Sequence, residues 1–156
     1  VIERIKSMNP EIQIIFSISP VRHLSDGHFE NQLSKGRLFD TIYQLKNQFE
    51  NIHYFQAYEL MMDDLRDYRF YNTDLVHPSN EAIEYIWEKF KSTFISTPSL
   101  KTISQVEKII SASNHRPFNP KSEAHQKFIA NTIQQIEELA PEVFGSFQKE
   151  IDQFKI

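Results

Sequence analysis

Hydrophobic positions in the first half of the chain alternate between short apolar runs and one long amphipathic stretch. Residues 11–17 (EIQIIFS) and 51–55 (NIHYF) are rich in β-branched or aromatic side chains and predict two short, buried strands. Residues 30–51 carry apolar side chains at helical spacing, which predicts a long helix between the strands. Its apolar positions are Leu33, Leu38, Ile42, Leu45 and Phe49. Strand, helix and strand form a βαβ unit, so we expect a parallel strand pair.

Further helices are expected on both sides of this unit. Residues 1–8 have the pattern of an amphipathic helix, and residues 79–94 that of a helix capped at Ser79 or Asn80. Between the second strand and the latter helix, residues 57–74 are aromatic and charged without a clear period. We expect a structured loop there, with one helical turn near its start.

The pattern changes again near residue 98. Residues 99–113 and 122–154 are predicted to be helical, the latter with an interruption at Pro141, which fits the first turn of a new helix. A proline-containing link occupies residues 115–120. We therefore predict an α/β part at residues 1–97 and a helical C-terminal extension at residues 98–156.

Two strands are too few for a stable parallel sheet, because helices must cover both of its faces. The chain also opens with Val1 inside a helical pattern. We therefore expect further strands upstream, in a longer protein of which this chain is the C-terminal part.

Composition narrows the classes of partner. Lys and Arg number 17 against 21 Asp and Glu, and the two signs are interspersed, so no basic stripe marks a nucleic-acid site. No apolar run is long enough to predict a membrane span. The chain has no cysteine, which excludes disulfides and thiolate metal sites within it and agrees with a cytoplasmic location. Its 3 glycines are scattered, so no phosphate-binding loop is expected.

The strongest candidate for chemistry is the sequence Asp74-Leu75-Val76-His77-Pro78-Ser79, directly before a helix. In nucleophilic hydrolysis a histidine takes a proton from a serine, while a carboxylate fixes the histidine tautomer. A separation of three residues lets Asp74 and His77 meet within one tight loop. The alternative is that Asp74 caps a turn and His77 is an ordinary loop histidine.

A second group of candidates follows the first predicted strand. Ser19, Arg22 and His23 would lie at its carboxyl end, where open α/β sheets bind ligands. Arg22 suits a carboxylate or a phosphate on a substrate. The alternative is that Arg22 pairs with one of the nearby acidic residues, and the sequence slightly favours it.

The acidic segment at residues 62–69 (MDDLRDYR) is the remaining candidate. Clustered carboxylates suit hard metal ions. Arginines within the same segment favour an ion-pair network instead, so we predict no metal site and no organic cofactor.

Three stretches together resemble the GSCFA family of bacterial proteins and, more broadly, the last third of an SGNH (GDSL-like) hydrolase. They are residues 16–23 (FSISPVRH), 58–71 (YELMMDDLRDYRFY) and 74–79 (DLVHPS). The segment at 115–118 (HRPF) in the helical tail is also similar to that family.

The resemblance implies a flavodoxin-like, three-layer domain with a parallel sheet. It also implies a serine esterase or acyl hydrolase in which Asp74 and His77 are two members of the triad. The nucleophilic serine and the oxyanion donors of that superfamily belong to motifs that are absent from this chain. We therefore expect the serine in an N-terminal part, and a small-molecule or carbohydrate-linked ester as the substrate.

Two other interpretations of the chain remain open. The same fold can serve as a non-catalytic binding or assembly module whose helical tail docks a partner. Alternatively, the chain completes its sheet by forming a homodimer through an exposed sheet edge, where backbone groups lack partners.

Overall fold

Two parallel strands and the helix that joins them form the first part of the fold. The computed structural model describes residues 1–114, 118–119, 121–139 and 147. Strand β1 (Ile14–Ser17) pairs with β2 (Ile52–Phe55) in parallel, with Ile14 opposite Ile52 and Ser17 opposite Phe55. They are the two strands of the sheet in the described part of the chain. The α/β class and the parallel pair are thus confirmed.

One helix precedes this strand pair in the sequence, and another joins its two strands. Helix α1 (Ile2–Met8) precedes β1, and helix α2 (His28–Gln48) connects β1 to β2. The polar Asn31 and Lys35 are buried in α2 beside Ile42, whereas Leu33 and Leu38 are 43% and 46% exposed. The expected apolar face of this helix was therefore wrong at Leu33 and Leu38. Asn31 and Lys35 are buried because their side chains bond to the loop that follows β1.

The segment after β2 is more helical than expected. A turn of α-helix, α3 (Ala57–Glu59), continues into a π-helical turn (Leu60–Asp64), and a 3₁₀ turn follows (Tyr68–Phe70). The wider π-helical turn closes with a bond of 3.0 Å from the Leu65 N–H to the Leu60 carbonyl. It buries Met61 and Leu65, an outcome of packing that the polar sequence pattern did not indicate.

Helix α4 (Asn80–Phe94) packs against this segment. Ala82 of α4 lies in a core cluster with Met61 and Leu65, and Tyr71 is among the half-buried residues around them. The Ser79 hydroxyl accepts the Ala82 N–H at 3.4 Å, which makes Ser79 the cap of the helix.

The chain divides into two compact units, Val1–Thr93 and Phe94–Ile156. The second contains α5 (Thr97–Ser113) and α6 (Glu123–Glu137), around a core of Ile109, Ile136, Leu139 and Phe147. Helix α5 begins two residues earlier than expected, since a proline fits the first turn of a helix.

Parts of two predicted elements lie outside the described residues. They are most of the link at 115–120 and the end of the helix predicted for residues 122–154. Among the helices that the structure describes, none combines the length and the apolar character needed to cross a bilayer.

Candidate active site

A short hairpin-like loop carries Asp74 and His77. Its stem is closed by bonds of 2.8 Å from the Ser79 N–H to the Phe70 carbonyl and from the Asn72 N–H to the His77 carbonyl. These bonds flank an antiparallel bridge between Tyr71 and Pro78. The ends of the loop are thereby fixed beside the core cluster that Tyr71 borders.

The Asp74 carboxylate shapes the tip of this loop. Its Oδ1 accepts the backbone N–H groups of Val76 at 2.9 Å and His77 at 3.0 Å. Aspartate side chains commonly close turns by accepting N–H groups two and three residues further along the chain. The N–H of His77, then that of Val76 and the ring of His77, lower the pKa of Asp74 from 3.8 to about 2.

The second carboxylate oxygen of Asp74 contacts the His77 ring. Oδ2 lies 2.6 Å from Nδ1, within the range of a strong charge-assisted hydrogen bond. When Nδ1–H donates to Oδ2, the other ring nitrogen, Nε2, carries the lone pair and can act as a base. The side chains of His77 and Asp74 are 59% and 48% exposed. The expected pair therefore meets, and it is accessible from outside this chain.

One of the two residues between them, Leu75, has a rare backbone conformation. Leu75 has a φ of 57°, in the left-handed region, where a side chain that is not glycine costs about 1 kcal/mol or more. This angle occurs within the tight turn from Asp74 back to His77. The loop thus holds strain at the position that brings the two side chains together.

Two side chains of α2 hold the loop that follows β1. The Lys35 ammonium donates to the carbonyls of Ser19 at 2.6 Å and Val21 at 3.1 Å. The Asn31 amide oxygen accepts the N–H of His23 at 2.9 Å. Burial lowers the pKa of Lys35, and it has no carboxylate partner among the described residues. This loop is therefore anchored through its backbone.

Arg22, held between these anchors, points to the stem of the Asp74 loop. Its guanidinium carbon lies 5.5 Å from the centre of the Tyr71 ring, which is cation–π geometry. No acidic residue in the described ranges forms an ion pair with it. The expectation that Arg22 pairs with a nearby acid is therefore wrong; of the acids in the segment at 62–69, Asp63 pairs with Arg66 instead.

The other two predicted pocket residues are engaged within their own loop. The Ser19 hydroxyl accepts the Val21 N–H at 3.2 Å. His23 is exposed, and its Nδ1 lies 3.0 Å from the Ser25 hydroxyl and 3.9 Å from Asp26. Neither side chain contacts Asp74 or His77.

The side chains of the acidic segment at residues 62–69, which begins within the π-helical turn, interact locally. Asp63 pairs with Arg66 at 3.1 Å, and Asp67 caps the 3₁₀ turn by accepting the Arg69 N–H. Asp64 accepts the Tyr85 hydroxyl at 2.8 Å. No cluster of three or more histidines and acids suited to a metal ion occurs in the described part of the chain.

Sequence reasoning missed Lys35, Asn31 and Tyr71. A lysine and an asparagine four residues apart on a helix look like solvent-facing positions, and an aromatic residue in a loop looks like packing. The available signal was the spacing itself, since residues four apart share one helix face.

Fold and site together define an α/β protein with an Asp–His pair on a strained loop. The loop lies beside the carboxyl ends of its parallel strands, where Pro78 lines one groove with Pro20 and Phe55.

Residues 1–90 match the model of the GSCFA family, and residues 106–156 match that of the GSCFA domain protein, C-terminal domain. The chain belongs to the GSCFA family. No curated protein and no solved structure matches it significantly.

Proposed function

We propose that this chain supplies the acid–base half of a serine ester or acyl hydrolase of the SGNH type. The observation that carries the proposal is the contact of 2.6 Å between His77 Nδ1 and Asp74 Oδ2. The pair is accessible and lies next to the carboxyl ends of parallel strands, the usual place for ligands in α/β sheets. In this proposal the two strands belong to a larger flavodoxin-like, three-layer domain, and the nucleophilic serine comes from a segment outside this chain.

The proposed reaction proceeds in two steps. His77 Nε2 takes the proton from the serine hydroxyl while the serine oxygen attacks the ester carbonyl carbon. His77 then gives this proton to the departing alkoxide, which leaves an acyl-serine. Water repeats the sequence, releases the acid and restores the serine. The Asp74 carboxylate stabilises the imidazolium that forms in each step.

The way in which Asp74 is held supports this role. Two backbone N–H groups orient its carboxylate and keep it ionised down to about pH 2, where its pKa lies. A carboxylate fixed in this way selects the histidine tautomer with a free Nε2. The strained angle at Leu75 also fits a functional loop, because such strain often persists at active sites.

A binding or assembly role without catalysis is the alternative. It is favoured by the bonds at Asp74 Oδ1, since an aspartate that builds a turn needs no catalytic purpose. In that case the contact with His77 serves only the shape of the loop.

The first test uses the full-length gene product and a fluorophosphonate probe. We expect a labelled serine by mass spectrometry, and about 10³-fold or greater loss of labelling rate in His77→Ala. His53→Ala is the matched control, because His53 bonds instead to Gln13 at 2.7 Å. No labelling of the folded wild-type protein would favour the non-catalytic role.

A second test separates the two oxygens of Asp74. Asp74→Asn keeps a side-chain oxygen for the Val76 and His77 N–H groups but offers an amide to the histidine ring. We expect ester hydrolysis to fall about 10³- to 10⁴-fold, as for a triad with the wrong tautomer, and the melting temperature to change little. Asp74→Ala should lose both activity and loop stability. Equal activity of Asp74→Asn and wild type would contradict a catalytic role.

A further inference from the structure

Arg22 lines a cavity and forms no ion pair with any acid of the described residues. It is half-buried. An arginine presents five N–H donors in a planar fork that matches a carboxylate. Its guanidinium lies over the face of the Tyr71 ring, which leaves the N–H edge of the fork for a ligand.

Two cavities meet at this arginine. One has a volume of about 290 Å³ and is lined by Met61, Leu65, Tyr68 and Tyr71 among others. The other has about 220 Å³ and is lined by Asn31 and Tyr58 among others. Arg22 and Met62 line both cavities. The combination of apolar walls with a few polar groups is typical of sites for small molecules.

The charges around the cavities favour a ligand with a single negative charge over one with two. The larger cavity is lined by Arg22, Arg66 and the carboxylate of Asp67, and Arg66 is already paired with Asp63, so Arg22 is the cation of this lining that is outside an ion pair. Among the described residues that line the smaller cavity, Arg22 is the one Lys, Arg, Asp or Glu. A phosphate monoester carries nearly two negative charges and would need a second unpaired cation. A carboxylate needs one.

The backbone around Arg22 is fixed before any ligand arrives. Lys35 and Asn31 bond to the residues on either side of it, and the Tyr71 ring supports the guanidinium. A side chain held in this way loses little freedom on binding. Tyr71 also forms the bridge to Pro78, directly after His77, so the arginine and the Asp74 loop share one structural support.

We propose that Arg22 binds the carboxylate of a small molecule whose apolar part lies against Met62 and the ring of Tyr68, side chains of the larger cavity that have exposed surface. As a binding site, this does not depend on catalysis. The extension that the ligand is the ester substrate, with its carboxylate away from the bond that is cleaved, rests on the function proposed above.

The test uses two molecules of the same shape, 4-phenylbutyrate and its neutral amide, 4-phenylbutanamide. Their affinities for the full-length protein are measured by ligand-observed NMR titration. We expect the wild-type protein to bind the carboxylate at least about tenfold more tightly than the amide. Arg22→Gln should bind the two equally, and Arg37→Gln, an exposed arginine of α2, should keep the preference.

Three results would overturn the proposal: equal binding of acid and amide by wild type, a preference that survives in Arg22→Gln, or competition by inorganic phosphate as strong as by the carboxylate. The wild-type comparison stands even if Arg22→Gln does not fold. If serine labelling fails but the acid preference holds, only the hydrolase proposal falls. If labelling succeeds and the protein does not prefer the carboxylate to the amide, only the carboxylate-site proposal is contradicted.

Discussion

Asp74 shows how one side chain can both build a loop and orient a histidine. Its Oδ1 closes the turn through two backbone N–H groups, and its Oδ2 contacts His77 Nδ1. Because the bonds favour the ionised carboxylate, they connect the stability of the loop to pH.

The pH dependence of stability should reveal Asp74. Its pKa is about 2 in the folded protein against 3.8 as the ordinary value, so folding favours the ionised form. This contribution is complete above pH 3.8 and is lost as pH falls toward 2. We expect the melting temperature of wild type to exceed that of Asp74→Ala by a margin that narrows over this range. A margin that widens as the pH falls would contradict the lowered pKa of Asp74 in the folded protein.

Leu75 offers a test of backbone strain. Glycine adopts a φ of 57° without steric cost, whereas alanine keeps the Cβ that causes it. We expect Leu75→Gly to be about 1 kcal/mol more stable than Leu75→Ala in urea denaturation. A glycine variant is ordinarily less stable than the corresponding alanine variant. If Leu75→Gly is the more stable of the two, the positive φ at this position is the cause of the reversed order.

At the scale of elements, α2 organises the loop after β1 as well as connecting the strands. Its polar residues Asn31 and Lys35 are buried because they satisfy backbone groups of that loop. A buried lysine loses hydration, but two charge-assisted bonds to carbonyls offset that loss. The loop then places Arg22 against Tyr71.

Replacing Lys35 by methionine should loosen this arrangement. The carbonyls of Ser19 and Val21 lose their donor, and an unsatisfied buried polar group costs about 1–3 kcal/mol. Removal of the buried ammonium offsets part of this cost, so we expect the free energy of unfolding to fall by about 1 kcal/mol. Unfolding in urea, followed by Trp87 fluorescence, measures it. Lys46→Met, at an exposed position in the last turn of α2, should change stability by less than about 0.5 kcal/mol. Equal stabilities of the two variants would count against the anchor.

At the scale of the molecule, the two compact units have separate cores. The first includes the cluster of Met61, Leu65 and Ala82, whereas the second is built around Ile109 and Ile136. The residues proposed for chemistry all belong to the first unit, Val1–Thr93.

Adjacent isoleucines of α5 test the second core. Ile109 is fully buried, whereas Ile110 is 46% exposed. We expect Ile109→Ala to lower the free energy of unfolding by about 2–5 kcal/mol and Ile110→Ala by less than about 1 kcal/mol. Denaturation followed by circular dichroism gives both values. Similar losses in the two variants would show that the helix is not packed as described.

The sequence by itself determined the βαβ order, the capped helix after the loop and the pairing of Asp74 with His77. These features depend on local rules: strand and helix periods, a serine cap, and a spacing of three residues within one turn. It also placed Arg22 after the first strand. None of these inferences required knowledge of which distant residues meet.

Only the tertiary structure decided what Arg22, Lys35 and the methionines do. Arg22 meets Tyr71 across 49 positions of sequence, and Lys35 meets Ser19 across 16, so no local pattern could relate them. The π-helical turn likewise forms because packing buries Met61 and Leu65 together. Whether a polar side chain such as Lys35 is buried depends on the backbone groups that the fold places next to it. The loop anchored by Lys35 and Asn31 carries Arg22, so the position of this arginine could be determined only from the tertiary structure.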